Sequence, residues 1–438
     1  MSGAQRLDWV SHPVNKLQGN VVVPGDKSVS HRSMMLSAIA EGTSYIRGFL
    51  EGEDTRATAA VLAQLGVSIE SPSAGERIVR GVGLHGLRGS SKPLDCGNAG
   101  TGMRLLTGLL AGQSFDSTLI GDESLSKRPM RRVTDPLAKM GAHIDTHDGL
   151  PPLHVHGGQK LHGIRYELPV ASAQIKSALL LAGLYADGWT EVIEPHPTRD
   201  YTERMLAAFG WPIEFSPGRA KLEGGHRLKA TDVLVPADFS SAAFFLVAAS
   251  IVPGSIVHLP AVGLNPRRTG LLEALRLMGA DIRIEKQSES GGEIIGDLVV
   301  HHAPLHGIEL PEALVPDMID EFPALFVAAA AAQGRTIVRG AAELRVKESD
   351  RIATMAAGLQ ALGVRIEETP DGAIIDGGTF RAGTVDSHGD HRIAMSFAAA
   401  GLVARGEVII RDCANVATSF PGFLELANSC GFAMRVAP

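Results

Sequence analysis

Lysine and arginine recur where helices are expected to begin: Lys27 and Arg32, Lys127 and Arg128, Arg199, Arg267 and Arg268, Lys347 and Arg351, and Arg392. A helix N-terminus carries free N–H groups and a partial positive charge, so a cation there is unfavourable unless an anion completes the arrangement. If several such ends converge, backbone N–H groups and guanidinium forks can share the oxygens of a phosphate or carboxylate. The set therefore points to a small, highly charged anionic ligand. A plainer reading pairs each cation with a nearby acid such as Asp54, Asp200 or Asp350, which serves one position better than all of them. Two acids stand among the cations. Asp320, in DMIDEFPALF, heads an all-apolar helical run, and Glu348, in LRVKESDR, lies within one turn of Lys347 and Arg351. Each has an ordinary reading, Asp320 as a helix cap and Glu348 as a helix-start acid. A carboxylate among cations can also stay ionised as a base while another carboxyl or a lysine supplies a proton, which is the minimum for acid–base chemistry on anionic substrates.

Other motifs carry less. GNAGTG (97–102) does not complete GxGxxG and lacks a ribose-binding acid about twenty residues on, so a dinucleotide site is not expected. PGDKS (24–28) lacks the glycine offset of a nucleotide phosphate loop. His154-Val-His156 places two imidazoles on one solvated face of a strand with no third ligand in view, so surface histidine is the better reading for it and for His301-His302, and no metal is expected. No GxSxG elbow supports acyl transfer. The three cysteines, Cys96, Cys413 and Cys430, are widely spaced and suit a reducing, cytoplasmic setting. With 41 basic and 48 acidic residues the net charge is −7, which gives no overall pull toward nucleic acid or a membrane surface. Met1 to Pro13 has no basic-then-apolar targeting pattern, and no apolar run reaches the ~20 residues of a membrane span.

The elements that must position these residues repeat six times. Segments rich in small apolar residues run to Gly42, Gly112, Gly188, Gly254, Gly334 and Gly406, each expected to be a helix stopped by a C′ glycine and followed by a strand. A second, more amphipathic helical pattern follows each, ending at Gly66, Gly141, Gly210, Gly279, Gly363 and Gly431. These recur at a mean spacing of about 73 residues, one sixth of the 438, so one α/β unit used six times spans the chain. The first helix type is apolar on nearly all sides and must be surrounded by protein, whereas the second has a polar face. Helices inside and sheets outside is the expected layering. An ordinary doubly wound sheet would place no six-fold copy number on the sequence. Six units suggest two lobes of three, split near Pro236, with the N-terminal segment crossing between them and two crossover chains forming a hinge.

Nine segments in order, PGDKSVSHR, LDCGNAGTGMR, DESLSKRPM, VASAQIKSALLLAG, TRDYTERML, MIDEFP, LRVKESDR, DHRIAMSF and ATSFPGF, resemble the 5-enolpyruvylshikimate-3-phosphate synthase family of enolpyruvyl transferases across nearly the whole chain. The resemblance implies a two-lobed inside-out α/β barrel of six βαβαββ units, three per lobe. Lobe I would comprise 1–22 and 238–438, lobe II 23–237, and the active site would lie in the cleft between them. It implies transfer of the enolpyruvyl group of phosphoenolpyruvate to the 5-hydroxyl of shikimate 3-phosphate, with release of phosphate through a tetrahedral intermediate, in the shikimate pathway. No metal or organic cofactor is implied, and a monomer is expected.

Carried over by motif, Lys27, Ser28, Arg32, Ser172, Ala173, Gln174, Arg199, Asp320 and Lys347 would hold shikimate 3-phosphate, and Lys27, Gly100, Arg128, Gln174, Glu348, Arg351 and Arg392 would surround phosphoenolpyruvate. The catalytic groups would be Asp320, taking the hydroxyl proton, and Glu348 with Lys27, serving the methylene carbon. His391 is left outside the catalytic set. Some family members have a lysine where Thr418, Ser419 and Phe420 stand here, and Ala173 replaces the second serine of a Ser-Ser-Gln motif. Gly100 stands where some members carry the alanine that excludes glyphosate, so glyphosate is expected to compete with phosphoenolpyruvate. The sister enzyme acting on a UDP-amino sugar typically has a reactive loop cysteine, which Gly121 to Pro129 lacks. A non-catalytic anion-binding repeat protein would not need Lys27, Asp320, Glu348 and Arg351 together.

Overall fold

In a computed structural model, which describes residues 7–438, short strands alternate with twelve α-helices. In chain order these are α1 (Lys27–Ile39) and α2 (Glu53–Gln64), α3 (Gly100–Ala111) and α4 (Arg131–Lys139), α5 (Ala173–Gly183) and α6 (Tyr201–Ala208), then α7 (Phe239–Ile251) and α8 (Gly270–Leu277), α9 (Phe322–Ala331) and α10 (Arg351–Ala361), α11 (His391–Gly401) and α12 (Phe423–Ser429). The first helix of each pair is the apolar one. All of α7 is buried, from Phe239 to Ile251, and so is α9 from Phe322 to Ala330. Each large apolar side chain closed off in this way contributes about 1.5–3 kcal/mol of transfer free energy. None of α1, α3, α5, α7, α9 and α11 has an acid in its first turn, whereas α2, α6, α8 and α12 do. Among the described residues no helix is long and apolar enough to cross a membrane. The reading of Met1 to Pro13 as free of a targeting pattern falls partly on residues 1–6, outside the described residues.

The two sets of glycines do different work. Gly66 follows the C-cap of α2 at φ +92°, and Val67 donates back to Leu62 O at 3.1 Å, the closing bond of a Schellman turn. The first set was expected to cap in the same way and does not. Gly42 lies beyond the C-cap Ala40 and is already in the strand Glu41–Arg47, and Gly112 is itself a C-cap at φ −90°. The last carbonyls of α5 and α11 are taken by tight turns instead, Tyr185 N and Ala186 N donating to Ala182 O and Gly183 O, and Val403 N and Ala404 N to Ala400 O and Gly401 O.

The chain divides into two compact units. One comprises Gly25–Pro236 with Glu289–Ile294; the other comprises the chain up to Pro24, Ala237–Ser288 and Ile295–Pro438. The boundaries expected from sequence, 22/23 and 237/238, are therefore corrected by hydrogen bonding. Asp238 N donates to Pro24 O and Ala237 N to Ala261 O, both at 2.8 Å, which ties Pro24 and Ala237 to one unit. Asp26 N donates to Pro236 O at 2.8 Å in the other, and Leu234 N donates to Ser290 Oγ at 2.9 Å, which draws the hairpin tip 289–294 to the same unit.

The unit holding α1–α6 has three four-stranded sheets, one of which runs Leu94–Asp95, Ser117–Ile120, Leu150–Val155, Ile144–His147. Its antiparallel register sets Thr118 and Asp145 on either side of His154. Within this unit α3 packs on α5 and α1 on α3 and α6. In the unit holding α7–α12 the strand Trp9–His12 lies between Val408–Arg411 and Ala433–Val436. Trp9 stacks on Phe423 at 5.6 Å, in an aromatic group with Phe245, Phe420 and Phe432, and α9 packs on α7 and α11.

Candidate active site

In the α1–α6 unit the site is assembled from helix N-termini. Asp26 accepts from Val29 N at 2.8 Å and so begins α1, which makes Lys27 and Ser28 its first residues. Lys27 Nζ reaches Asp54 Oδ2 on α2 at 3.2 Å. One turn on, His31 lies 3.5 Å from where a Cβ on Gly102 would stand, so the first turns of α1 and α3 adjoin. Ser172 caps α5, followed by Ala173 and Gln174. Gln174 ties α5 to α3, donating to Thr101 Oγ1 at 2.9 Å and accepting from Arg104 Nη1 at 3.1 Å. Arg128, after the turn Leu125–Lys127, donates to Asn98 Oδ1 at 2.7 Å and Ser124 Oγ at 3.1 Å. A Cβ on Gly100 would lie 3.0 Å from Nη1 of both Arg104 and Arg128, so the two guanidiniums meet over this glycine.

Charge is concentrated there without carboxylate partners among the described residues. Arg104 and Arg128 are half-buried, and their hydrogen bonds go to neutral oxygens. Burial, with Arg128 and Arg132 adding like charge, brings Arg104 down to about 10. An anion at this position would be strongly favoured. Arg32 differs. It is buried, and its donors go to Thr202 Oγ1 at 2.7 Å, Ser177 Oγ at 2.8 Å and Ser28 O at 3.0 Å, so it joins α1 to α5 and α6. Arg199 precedes α6 and is half-buried.

In the α7–α12 unit two arginines share one carboxylate. Arg268, just before α8, donates to Asp320 Oδ2 at 2.9 Å, and Arg351, the first residue of α10, approaches Asp320 Oδ1 at 3.5 Å. Arg351 also donates to Asp390 Oδ2 at 2.8 Å and Glu348 Oε2 at 2.6 Å. Its side chain is closed to solvent, and although burial works against its charge, Glu348, Asp390 and Asp320 hold it above the usual guanidinium range. Asp390 in turn caps α11 by accepting from Arg392 N at 3.0 Å. Glu348 has a half-exposed side chain, so the desolvation that tends to raise it is limited, and Arg351, with His391 and Arg392, outweighs it and holds the carboxyl at about 2. His391 is buried and lowered to about 3, by burial first and Arg392 second, so it is neutral near pH 7. Lys347 pairs with Glu343 at 2.6 Å. Arg392 is half-buried and has no carboxylate partner among the described residues.

Several simple readings are corrected. Asp320 is not a cap, because the cap position of α9 is Glu321 and Asp320 serves the arginines instead. Asp200 pairs with Arg204 at 2.9 Å, and Asp350 pairs with Arg345 at 2.8 Å while capping α10. The His154–His156 pair does have further ligand candidates, since the neighbouring strands bring Asp116, His143 and Asp145 to it. Two members of the site were missed. Arg104 is the lone cation of an apolar helix, four residues from Gly100, and that isolation was its signal. Asn98, which holds Arg128, carries no comparable signal.

This arrangement of sheets and helices is found in solved structures of enolpyruvyl transfer enzymes. It matches the enolpyruvyl transferase NikO from Streptomyces tendae with a TM-score of 0.80 at 19% identity, over 99% of this chain and 100% of that one, a likeness of fold alone. It matches EPSP synthase from Acinetobacter baumannii with a TM-score of 0.94 at 52% identity, over 99% and 100% of the two chains. The 3-phosphoshikimate 1-carboxyvinyltransferase of Xanthomonas euvesicatoria pv. vesicatoria (strain 85-10) is 69% identical over 430 residues, 98% of each chain. The family model for EPSP synthase (3-phosphoshikimate 1-carboxyvinyltransferase) matches residues 11–426, and the chain belongs to that family.

Proposed function

We propose that the chain transfers the enolpyruvyl group of phosphoenolpyruvate to the 5-hydroxyl of shikimate 3-phosphate and releases phosphate, as a 3-phosphoshikimate 1-carboxyvinyltransferase of the shikimate pathway. The observation that carries this reading is the pair Arg104 and Arg128 beside Gly100, half-buried and, among the described residues, bonded only to neutral oxygens. That pair receives the anionic end of phosphoenolpyruvate. Gln174, bonded to Arg104, links it to the α5 N-terminus, where shikimate 3-phosphate meets Ser172 and Ala173. Arg32 holds Ser28 in place and reaches substrate only by releasing one of its present bonds. Lys347, Arg199 and Arg392 complete the cation set.

Asp320 takes the proton of the 5-hydroxyl as its oxygen bonds to C2 of phosphoenolpyruvate, while a proton goes to the methylene carbon and gives the tetrahedral intermediate. A proton then leaves the new methyl group as the C–O bond to phosphate breaks and the enol double bond re-forms. Glu348, held at about 2, carries no proton near pH 7 and is the acceptor in this collapse; Lys27 is the donor in the addition. The surrounding guanidiniums stabilise developing charge. Two lobes of three βαβαββ copies, with helices inward, belong to the same reading, supported by twelve helices in six sheet-forming stretches. So do a monomeric state, competition by glyphosate at Gly100, and a reducing cytoplasmic setting, which suits three free, buried cysteines.

The test is phosphate release from phosphoenolpyruvate with shikimate 3-phosphate and, separately, with a UDP-amino sugar. Release with the first alone is expected. Release with the second alone moves the chain to the sister activity, and release with neither leaves an anion-binding protein.

A further inference from the structure

Three imidazoles and two carboxylates gather on the outer face of the sheet that carries Ser117–Ile120, Leu150–Val155 and Ile144–His147. His143 and His156 stack with ring centroids 4.2 Å apart and planes 14° from parallel. Their Nε2 atoms converge on one carboxylate, His156 at 2.7 Å from Asp145 Oδ2 and His143 at 3.5 Å from Asp145 Oδ1. The backbone holds this convergence. His156 N donates to His143 O at 3.0 Å, and Asp145 is the ladder partner of His154. His154 meets His156 edge-on at 4.6 Å, with its Nδ1 engaged by Thr118 Oγ1 at 3.0 Å. Asp116, His154 and His156 form a second set that shares His156, and in each set the ligand atoms lie within 4.8 Å of one another.

We propose that His143, Asp145 and His156 bind a divalent transition-metal ion of the zinc class, with water in the remaining position. Two imidazoles and a carboxylate are the donor set that Zn²⁺, Ni²⁺ and Cu²⁺ prefer over Mg²⁺ or Ca²⁺. Tetrahedral ligands at zinc distances stand about 3.3 Å apart, close to the present spacing, and an ion there requires the stacked rings of His143 and His156 to rotate toward it. His154 packs edge-on against His156, and Asp116 fixes the next residue by accepting from Gly157 N at 2.9 Å. None of these residues belongs to the set assigned to the reaction, so the site is separate from catalysis.

The full chain, stripped of metal with a chelator and desalted, is titrated calorimetrically with Zn²⁺. One equivalent is expected, with affinity reduced at least about tenfold by His143→Ala or His156→Ala and unchanged by His226→Ala, a solvent-exposed histidine elsewhere in the same unit. His156→Gln can keep a hydrogen bond to Asp145 and should lose the metal just as His156→Ala does. Co²⁺ in place of Zn²⁺ should give visible absorption in the unmodified chain and none in His156→Gln. Turnover should be the same in His156→Ala as in the parent. Absence of Zn²⁺ uptake by the parent, equal uptake by the His156 variants, or an equal loss in His226→Ala overturns the proposal.

Discussion

Arg268 donates through Nη1 to Asp320 Oδ2 at 2.9 Å, and its Nη2 donates to the Ser240 hydroxyl, which in turn donates a hydrogen bond to Glu321. The aim of Asp320, the base in the proposed mechanism, is therefore set by an arginine whose fork spans two partners. A lysine reaches one of them but not both. Arg268→Lys should lower kcat about tenfold or more while leaving the KM values nearly unchanged. Asp320→Ala should lower kcat about 10²–10⁴-fold. If Arg268 acts through Asp320, the double variant is no slower than Asp320→Ala alone; additive losses would show that Arg268 has a separate role.

Arg128 has the opposite assignment. Its partners are Asn98 and Ser124, and it carries no proton in the proposed steps. Arg128→Ala should chiefly raise the KM for phosphoenolpyruvate, with kcat lowered less. Steady-state kinetics with each substrate varied decides this, and a pure kcat loss at unchanged KM would mean that the two residues have exchanged roles.

At Gly100 a single added methyl group would bear directly on Arg104 and Arg128. Its Cβ would stand 3.0 Å from two guanidinium nitrogens, closer than comfortable contact, so Gly100→Ala displaces one or both of them. The expected result is weaker glyphosate inhibition together with a higher KM for phosphoenolpyruvate. Inhibition constants that do not change would remove Gly100 from the wall of the anion site.

How much of this was legible in the sequence depended on whether the signal was local. Lys27, Arg351 and Arg392 could be read because a cation at a helix start breaks a rule visible within a few residues, whereas Arg128, expected at a helix start, ends the short turn Leu125–Lys127 three residues before α4. Their partners could not. Asp54 does meet Lys27, but Asp350 meets Arg345 rather than Arg351, a choice made by how the Ala342–Val346 turn packs on the next strand pair. The histidines show the same limit. Alternation places His154 and His156 on one face, yet their neighbours come from cross-strand register, Asp145 opposite His154, which one strand does not reveal. Arg268 was visible as a basic residue at a helix start, and its bond to Asp320, 52 positions away, was not.

Lys176 makes a stability prediction that is independent of catalysis. It lies inside the α1–α6 unit between Glu194 at 2.7 Å and Glu203 at 2.8 Å, and all three side chains are at most 3% exposed. Burial pushes Glu203 up, while Lys176 opposes that shift. Lys176→Met leaves two buried carboxylates uncompensated and should cost about 3–5 kcal/mol in denaturant unfolding. Adding Glu203→Gln should restore part of the loss. A Lys176→Met chain as stable as the parent would mean that the carboxylates are already neutral.

His31 supplies the acid limb of stability. It is fully buried, bonded through Nδ1 to Thr58 Oγ1 at 2.8 Å with Nε2 unpartnered, and burial first, then Lys27 and Arg32, lower it from 6.5 to about 3 against the pull of Asp54. The folded chain thus refuses a proton that the unfolded chain accepts. The stability held by the neutral ring is complete above pH 6.5 and is lost as pH falls from there toward 3, at up to about 1.4 kcal/mol per pH unit. His391, also lowered to about 3, adds a second such group. His31→Gln can keep a bond to Thr58 but does not titrate. Between pH 6.5 and 4.5 its unfolding free energy should fall less steeply than the parent's, by about one proton's worth of slope. Parallel pH profiles for the two chains would mean that His31 takes up its proton without unfolding the protein.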